Sequence, residues 1–197
     1  MISGGAGNDY ITVTGSAASV LLSGNGGDDI IHAGNGGAVL KGGAGDDTLF
    51  GGANADSFYG DAGHDAMSGG DGNDTFHADT DDLDGTNTLD GIHAIDGGDG
   101  IDTADLSGLK TFDSSQALRL ENVEHLAFDG KAAGGGGTSI ALSYDAAYGV
   151  TQVGGLHALS ITGDKADSLQ LQASGGHIWQ EIGNSHVYEA GVGAAKV

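Results

Sequence analysis

The sequence has no cysteine, only six lysines and arginines, and no apolar run long enough to cross a membrane. Without cysteine there is no disulfide framework and no thiolate metal site. Six cations against 28 aspartates and glutamates exclude nucleic acid as a partner, because phosphate contacts need positive side chains. The shortage is local: before residue 106 the only lysine or arginine is Lys41, and every acidic residue there is aspartate. Met1, Ile2, Ser3 and Gly4 open no signal-peptide pattern. No H-E-x-x-H, G-x-S-x-G or P-loop pattern occurs, so no catalytic activity is expected.

What the sequence has in excess is glycine, 40 of 197 residues, together with a formal net charge of −22. A chain this acidic repels itself and stays disordered in plain water unless something neutralises it. A flexible glycine-rich linker has the same composition. It has no use, however, for a fixed register. Residues 42–77 read as four nine-residue units, GGAGDDTLF, GGANADSFY, GDAGHDAMS and GGDGNDTFH. Glycine stands first, aspartate sixth (Asp47, Asp56, Asp65, Asp74) and an apolar residue eighth (Leu49, Phe58, Met67, Phe76).

The start of each unit must turn tightly, in conformations that glycine adopts without strain. Short aspartate side chains suit such turns because they reach back to their own loop. The last three residues make a short strand with one side chain inward. Two units then close a coil of 18 residues, and the next coil stacks about 4.8 Å further on. Inward residues form a narrow apolar ladder, while carboxylates and turn carbonyls line the gaps between stacked turns. An oxygen-lined gap of this kind suits a hard cation, calcium rather than magnesium.

This unit, G-G-x-G-x-D-x-U-x, resembles the RTX (repeats-in-toxin) nonapeptide, a calcium-binding β-helix repeat. The expected fold is all-β: a right-handed parallel β-roll, a calcium-binding solenoid over 4–105, with a β-rich capping segment over 106–197. The first unit is GGAGNDYIT, with Asp9 and Ile11. Residues 13–23 lack aspartate and are expected to form a metal-free half-coil with Val20 or Leu22 inward. GNGGDDIIH restores Asp29 and Ile31; AGNGGAVLK has Ala38 where aspartate belongs. Because alternate units stack, one edge should carry Asp9, Asp29, Asp47 and Asp65, and bind a continuous row of calcium ions. The other should carry Ala38, Asp56 and Asp74, with Asp74 closing the row. The expected calcium ligands are these aspartates and Asp102. First-position carbonyls (Gly4, Gly24, Gly42, Gly51, Gly60, Gly69) and third-position carbonyls (Ala6, Gly26, Ala44, Ala53, Ala62, Asp71) complete the set. The third position carries no threonine rank, which argues against an ice-binding surface.

After His77 the phase is lost over 78–96, which reads either as an exposed loop or as a loop supplying capping ligands. Strands are expected around 87–89 and 92–95. The phase returns in GGDGIDTAD with Asp102. Beyond 109, alternating patterns predict strands at 118–120, 124–128, 139–144, 158–162, 168–172, 177–180 and 186–190. Residues 134–137 read as a turn and 145–149 as a helical turn. Tyr144, Tyr148, Trp179 and Tyr188 are expected to form the core of this cap. His157, His177 and His186 are the weaker candidates for a transition-metal site there.

LENVEHLAF, TSIALSYDAAYGV, LSITGDKADSLQLQ, HIWQ and VYEAG resemble, in order and spacing, the C-terminal region of giant type I secreted RTX adhesins. That resemblance implies a C-terminal fragment of a longer bacterial protein, exported by a type I secretion apparatus. The protein would be extracellular or at the cell surface, with cell-surface or glycan targets met through upstream domains. It would be unfolded in the calcium-poor cytosol and folded by several calcium ions outside. Two other readings are a secretion module of a hydrolase or epimerase, and a module that itself binds a glycan or partner.

Overall fold

A computed structural model describes residues 1–15, 19–117 and 119–128, and beyond them the backbone of five strands. The first strands are β1 (Ile2–Ala6), β2 (Tyr10–Thr12), β3 (Val20–Gly26), β4 (Ile30–His32), β5 (Ala38–Ala44) and β6 (Thr48–Gly52). They continue as β7 (Ser57–Ala62), β8 (Ala66–Gly72), β9 (Thr75–His77), β10 (Ile95–Gly100) and β11 (Thr103–Asp105). Then come β12 (Thr111–Asp113), the one-turn helix α1 (Ser114–Ala117), β13 (Leu120–Glu121) and β14 (His125–Ala127). The strands described by backbone are β15 (Ser139–Ser143), β16 (Ser160–Thr162), β17 (Ser168–Gln172), β18 (His177–Ile182) and β19 (Val187–Val192).

Successive strands alternate between two parallel sheets, which makes a β-solenoid of about seven turns. One sheet has the order β1-β3-β5-β7-β9-β11-β14-β16, the other β13-β10-β8-β6-β4-β2. Register follows the 18-residue coil: Leu40 lies opposite Phe58, and Leu49 opposite Met67. The eighth residue of each unit points inward because neighbouring strand residues face opposite sides of the sheet. Leu22, Leu40, Phe58 and Phe76 from one sheet meet Ile31, Leu49, Met67 and Ile95 from the other, all fully buried. Leu22, rather than the partly buried Val20, fills the inward position of the aspartate-free half-coil.

With so narrow a core, each inward side chain rests on the one above it. Phe58 and Phe76 stack face to face, ring centroids 4.7 Å apart and planes 15° from parallel. Phe58→Ala is expected to cost about 3–5 kcal/mol, the range for truncating a buried aromatic residue. Tyr10→Ala, at a side chain 70% exposed, should stay within about 0.5 kcal/mol. Urea unfolding at one fixed calcium concentration compares the two.

Residues 78–94 leave the stack. They hold a 3-10 helix at Asp82–Asp84 and, among the described residues, no strand, so the strand expected at 87–89 is not formed and the one expected at 92–95 begins only at Ile95. The chain rejoins at Ile95, which pairs with Met67. Beyond 109 the seven expected strands are present, with ends within two residues of expectation. The sequence reading missed β12 and α1. From β12 onward a third parallel sheet is added, β12-β15-β17, and β18 and β19 form an antiparallel hairpin. The turns expected at 134–137 and 145–149 lie outside the described residues. So do the side chains of Tyr144, Tyr148, His157, Trp179, His177, His186 and Tyr188.

Candidate metal centre

The sixth-position aspartates stack into two ladders. On one edge the backbone N–H of Asp9 donates to Asp29 Oδ1 at 2.7 Å, that of Asp29 to Asp47 at 2.7 Å, and that of Asp47 to Asp65 at 2.8 Å. On the other, Ala38 N–H donates to Asp56 Oδ1 at 2.6 Å, Asp56 to Asp74 at 2.8 Å, and Asp74 to Asp102 at 2.7 Å. One oxygen of each carboxylate except that of Asp9 is thereby fixed to the coil before it. The second is the informative one. Oδ2 of Asp9, Asp29, Asp47, Asp65, Asp74 and Asp102 is buried without a hydrogen-bond partner.

The first glycine of each unit makes room for that oxygen. Gly42 has no left-handed backbone, yet a Cβ there would strike Asp47 Oδ2. Gly4, Gly24, Gly51, Gly60 and Gly69 stand in the same relation to Asp9, Asp29, Asp56, Asp65 and Asp74. First-position glycine is thus needed for close approach, whereas Gly43 and Gly45 are needed for positive φ (124° and 127°). Asn25 and Asp61 take the left-handed second position at φ 83° and 73°, as short polar side chains can. Gly42→Ala should therefore raise the calcium midpoint for folding and cost about 1–3 kcal/mol in urea unfolding, the scale of overpacking. Gly108→Ala, where a Cβ meets nothing within 4 Å, should be silent.

A carbonyl from the next coil completes the pattern. The space beside Gly24 is shared by Asp29 Oδ2 and the Gly42 carbonyl. Beside Gly51 it is Asp56 Oδ2 and the Gly69 carbonyl; beside Gly69, Asp74 Oδ2 and the Gly97 carbonyl. A calcium ion with bonds of about 2.4 Å bridges oxygens up to roughly 5 Å apart, and these pairs fall inside that span. The third-position carbonyls of Gly26, Ala44 and Ala62 accept from Gly7, Gly27 and Gly45 at 2.5–2.9 Å, so one lone pair of each is engaged. Ala6, Ala53 and Asp71 expose their side chains, leaving only the main chain to face the coil.

Among the described residues no lysine or arginine neutralises these rows. Lys41 instead lies over the Tyr59 ring, 4.7 Å from its centroid. Burial therefore pushes the carboxyls upward, Asp47 and Asp74 to about 7 and Asp102 to about 6, and raises Asp56 and Asp65 as well. Neighbouring carboxylates in the row add to the effect at Asp47 and Asp74. Orphaned buried oxygens facing carbonyls, in a row of like charges, fit a divalent cation with oxygen preference. Among protein families, the RTX calcium-binding nonapeptide repeat matches in four copies, over residues 1–12, 12–40, 34–67 and 41–76.

Residues 1–76 are RTX calcium-binding nonapeptide repeats.

No curated protein and no solved structure matches the chain. RTX repeats suggest a calcium-binding module of the kind typical of type I secreted, extracellular proteins. Among the described residues no helix is long and apolar enough to cross a membrane.

The RTX rows differ from the sequence reading at their ends. Asp74 does not close its row. Asp102 stacks on it across the looped-out 78–94, 28 residues on rather than 18. Beyond Asp102 the ladder gains Glu124, whose Oε2 accepts Asp102 N–H at 2.8 Å. On the opposite edge Asp65 N–H donates to Asp82 Oδ1 at 3.0 Å, so the excursion returns a buried carboxylate to the row it interrupts. Both oxygens of Asp82 are hydrogen-bonded, Oδ2 by Asp79 N–H, and burial raises its pKa. Asn87 pins the same excursion by donating to the carbonyls of Asp47 and His64. Glu124 was legible: Glu124 and Leu126 keep the two-residue spacing of Asp102 and Ala104. Asp82 was not, being 17 residues from Asp65 with no repeat around it.

An outer ladder runs beside the first row at the fifth position. Asn8 Oδ1 accepts Asp28 N–H, Asp28 accepts Asp46 N–H, and Asp46 accepts His64 N–H, at 2.9–3.0 Å. It explains the Asn, Asp and His at these turns by coil-to-coil hydrogen bonding.

Proposed function

We propose that this chain is the calcium-dependent folding and type I secretion module at the C-terminus of a bacterial extracellular RTX adhesin. It is unfolded in the cytosol and folded by calcium outside. The observation that carries the calcium switch is the two rows of buried, unpartnered aspartate oxygens in a segment whose one lysine is engaged elsewhere. The proposed ligands are the carboxylates of Asp9, Asp29, Asp47, Asp56, Asp65, Asp74 and Asp102, with carbonyls from the first and third positions. Residues 4–105 act as the calcium roll and 106–197 as its cap and secretion region. The adhesin assignment is supported by the order of LENVEHLAF, TSIALSYDAAYGV, LSITGDKADSLQLQ, HIWQ and VYEAG. No catalytic activity is assigned to the chain itself.

Expression in a bacterium carrying a type I exporter tests the proposal. The chain is expected in the medium when the exporter is present and only in the cytosol when its ATPase is inactivated. Removal of 106–197 should abolish export. Exporter-independent release, or export of 4–105 alone at the full rate, would falsify the secretion assignment.

A further inference from the structure

We infer that the second calcium row runs one coil beyond the repeats, and that its last ion is held by Asp102 Oδ2 and the main-chain carbonyl of Asn122, with Glu124 closing the row. This inference rests on the calcium reading of the repeats. The geometry at the junction copies theirs. In each regular gap of this row, an aspartate Oδ2 and a carbonyl from the next coil converge beside a first-position glycine: Asp56 and Gly69 at Gly51, Asp74 and Gly97 at Gly69. Beside Gly97 the pair is Asp102 Oδ2, 2.7 Å from the Cβ that glycine lacks, and the Asn122 carbonyl, closer still. Asp102 is fully buried and its Oδ2 has no partner. Glu124 takes the part the next aspartate would play, accepting Asp102 N–H at 2.8 Å.

Nothing in this coil reads as a nonapeptide, because asparagine stands where the first-position glycine would and only Val123 separates it from Glu124. Asn122 adopts a left-handed backbone, φ 53°, as the second-position residues Asn25 and Asp61 do. Its side chain donates to Asp96 Oδ1 at 2.8 Å, which ties the turn to the coil below. β13 and β14, on either side of it, pair with β10 and β11. An ion in this gap would join the first coil of the C-terminal segment to the last repeat. That segment would then dock on the roll only when calcium is present.

The test uses the full chain, calcium chloride as the probe, and two readouts: the number of ions bound in calorimetry, and hydrogen exchange of 120–127 beside that of 30–68. In the wild type, both segments are expected to become protected with calcium. Asp102→Asn should bind one ion fewer and leave 120–127 exchanging fast at calcium levels that still protect 30–68. Glu124→Gln keeps an oxygen for Asp102 N–H and removes the charge. It should raise the calcium needed to protect 120–127 severalfold without changing that for 30–68. Unchanged ion number in Asp102→Asn, with 120–127 still responding to calcium as in the wild type, overturns this inference and leaves the repeat sites standing. A wild type that binds no calcium overturns both.

Discussion

In excess chelator at low salt, the chain is expected to lose its β-structure, and millimolar calcium is expected to restore it in one cooperative step. The reason is electrostatic. Seven sixth-position aspartates, Asp9 to Asp102, are stacked in two rows, six of them with a buried unpartnered oxygen, and Lys41 sits on Tyr59 instead of among them. Without a cation, those carboxylates must either stay charged in a poor dielectric or take up protons, and both oppose folding. Calcium sites of extracellular modules have dissociation constants of about 10⁻⁴–10⁻³ M. At ten times that concentration each independent site adds about 1.4 kcal/mol, so four add roughly 6 kcal/mol. That is comparable with the whole stability of a small domain, about 5–15 kcal/mol. Binding and folding then become one event. Magnesium should substitute poorly, since it demands a small octahedral shell and dehydrates reluctantly. Far-UV circular dichroism during a calcium titration, repeated with magnesium, is the measurement. A β-rich spectrum that persists in chelator would refute the coupling.

Asp47→Ala and Asp74→Ala are expected to damage the roll about equally. Each is a middle rung: Asp47 lies between Asp29 and Asp65, Asp74 between Asp56 and Asp102. Each substitution removes a carboxylate from a candidate calcium gap. It also strips the acceptor from a backbone N–H of the preceding coil, Asp29 in one case and Asp56 in the other. A buried donor left unpaired costs about 1–3 kcal/mol. A mid-stack break further uncouples the coils on its two sides. The calcium midpoint for folding should rise about three- to fourfold in both, since four coupled sites each gain about 1.4 kcal/mol per tenfold rise in calcium and together must offset a loss of about 3 kcal/mol. Asp71→Ala removes an exposed side chain, keeps its main-chain carbonyl and should shift the midpoint little. A severe Asp47 variant beside a near-native Asp74 variant would show that the row stops at residue 77.

The sequence by itself determined the repeating half-coil, its inward residues and the sorting of aspartates onto two edges. Those follow from local rules: glycine at the turn, a three-residue strand, and a strict nine-residue step that leaves Leu40, Phe58 and Phe76 one above another. It also located seven strands after residue 109, where alternation is strong enough to read, but not β12. What only the tertiary structure decided is where the rows end. Residues 78–94 break the nine-residue phase, so counting along the chain predicts that Asp74 is terminal. Stacking is instead set by hydrogen-bond register between coils, and β10 recovers the register of β8 on the far side of the excursion. Asp82 enters the other row through the fold of that excursion and not through any repeat. The use of the first glycine likewise escaped the sequence. Glycine is permitted by turn geometry and by lack of space alike, and only the position of Asp47 Oδ2 against Gly42 shows that space is the reason there.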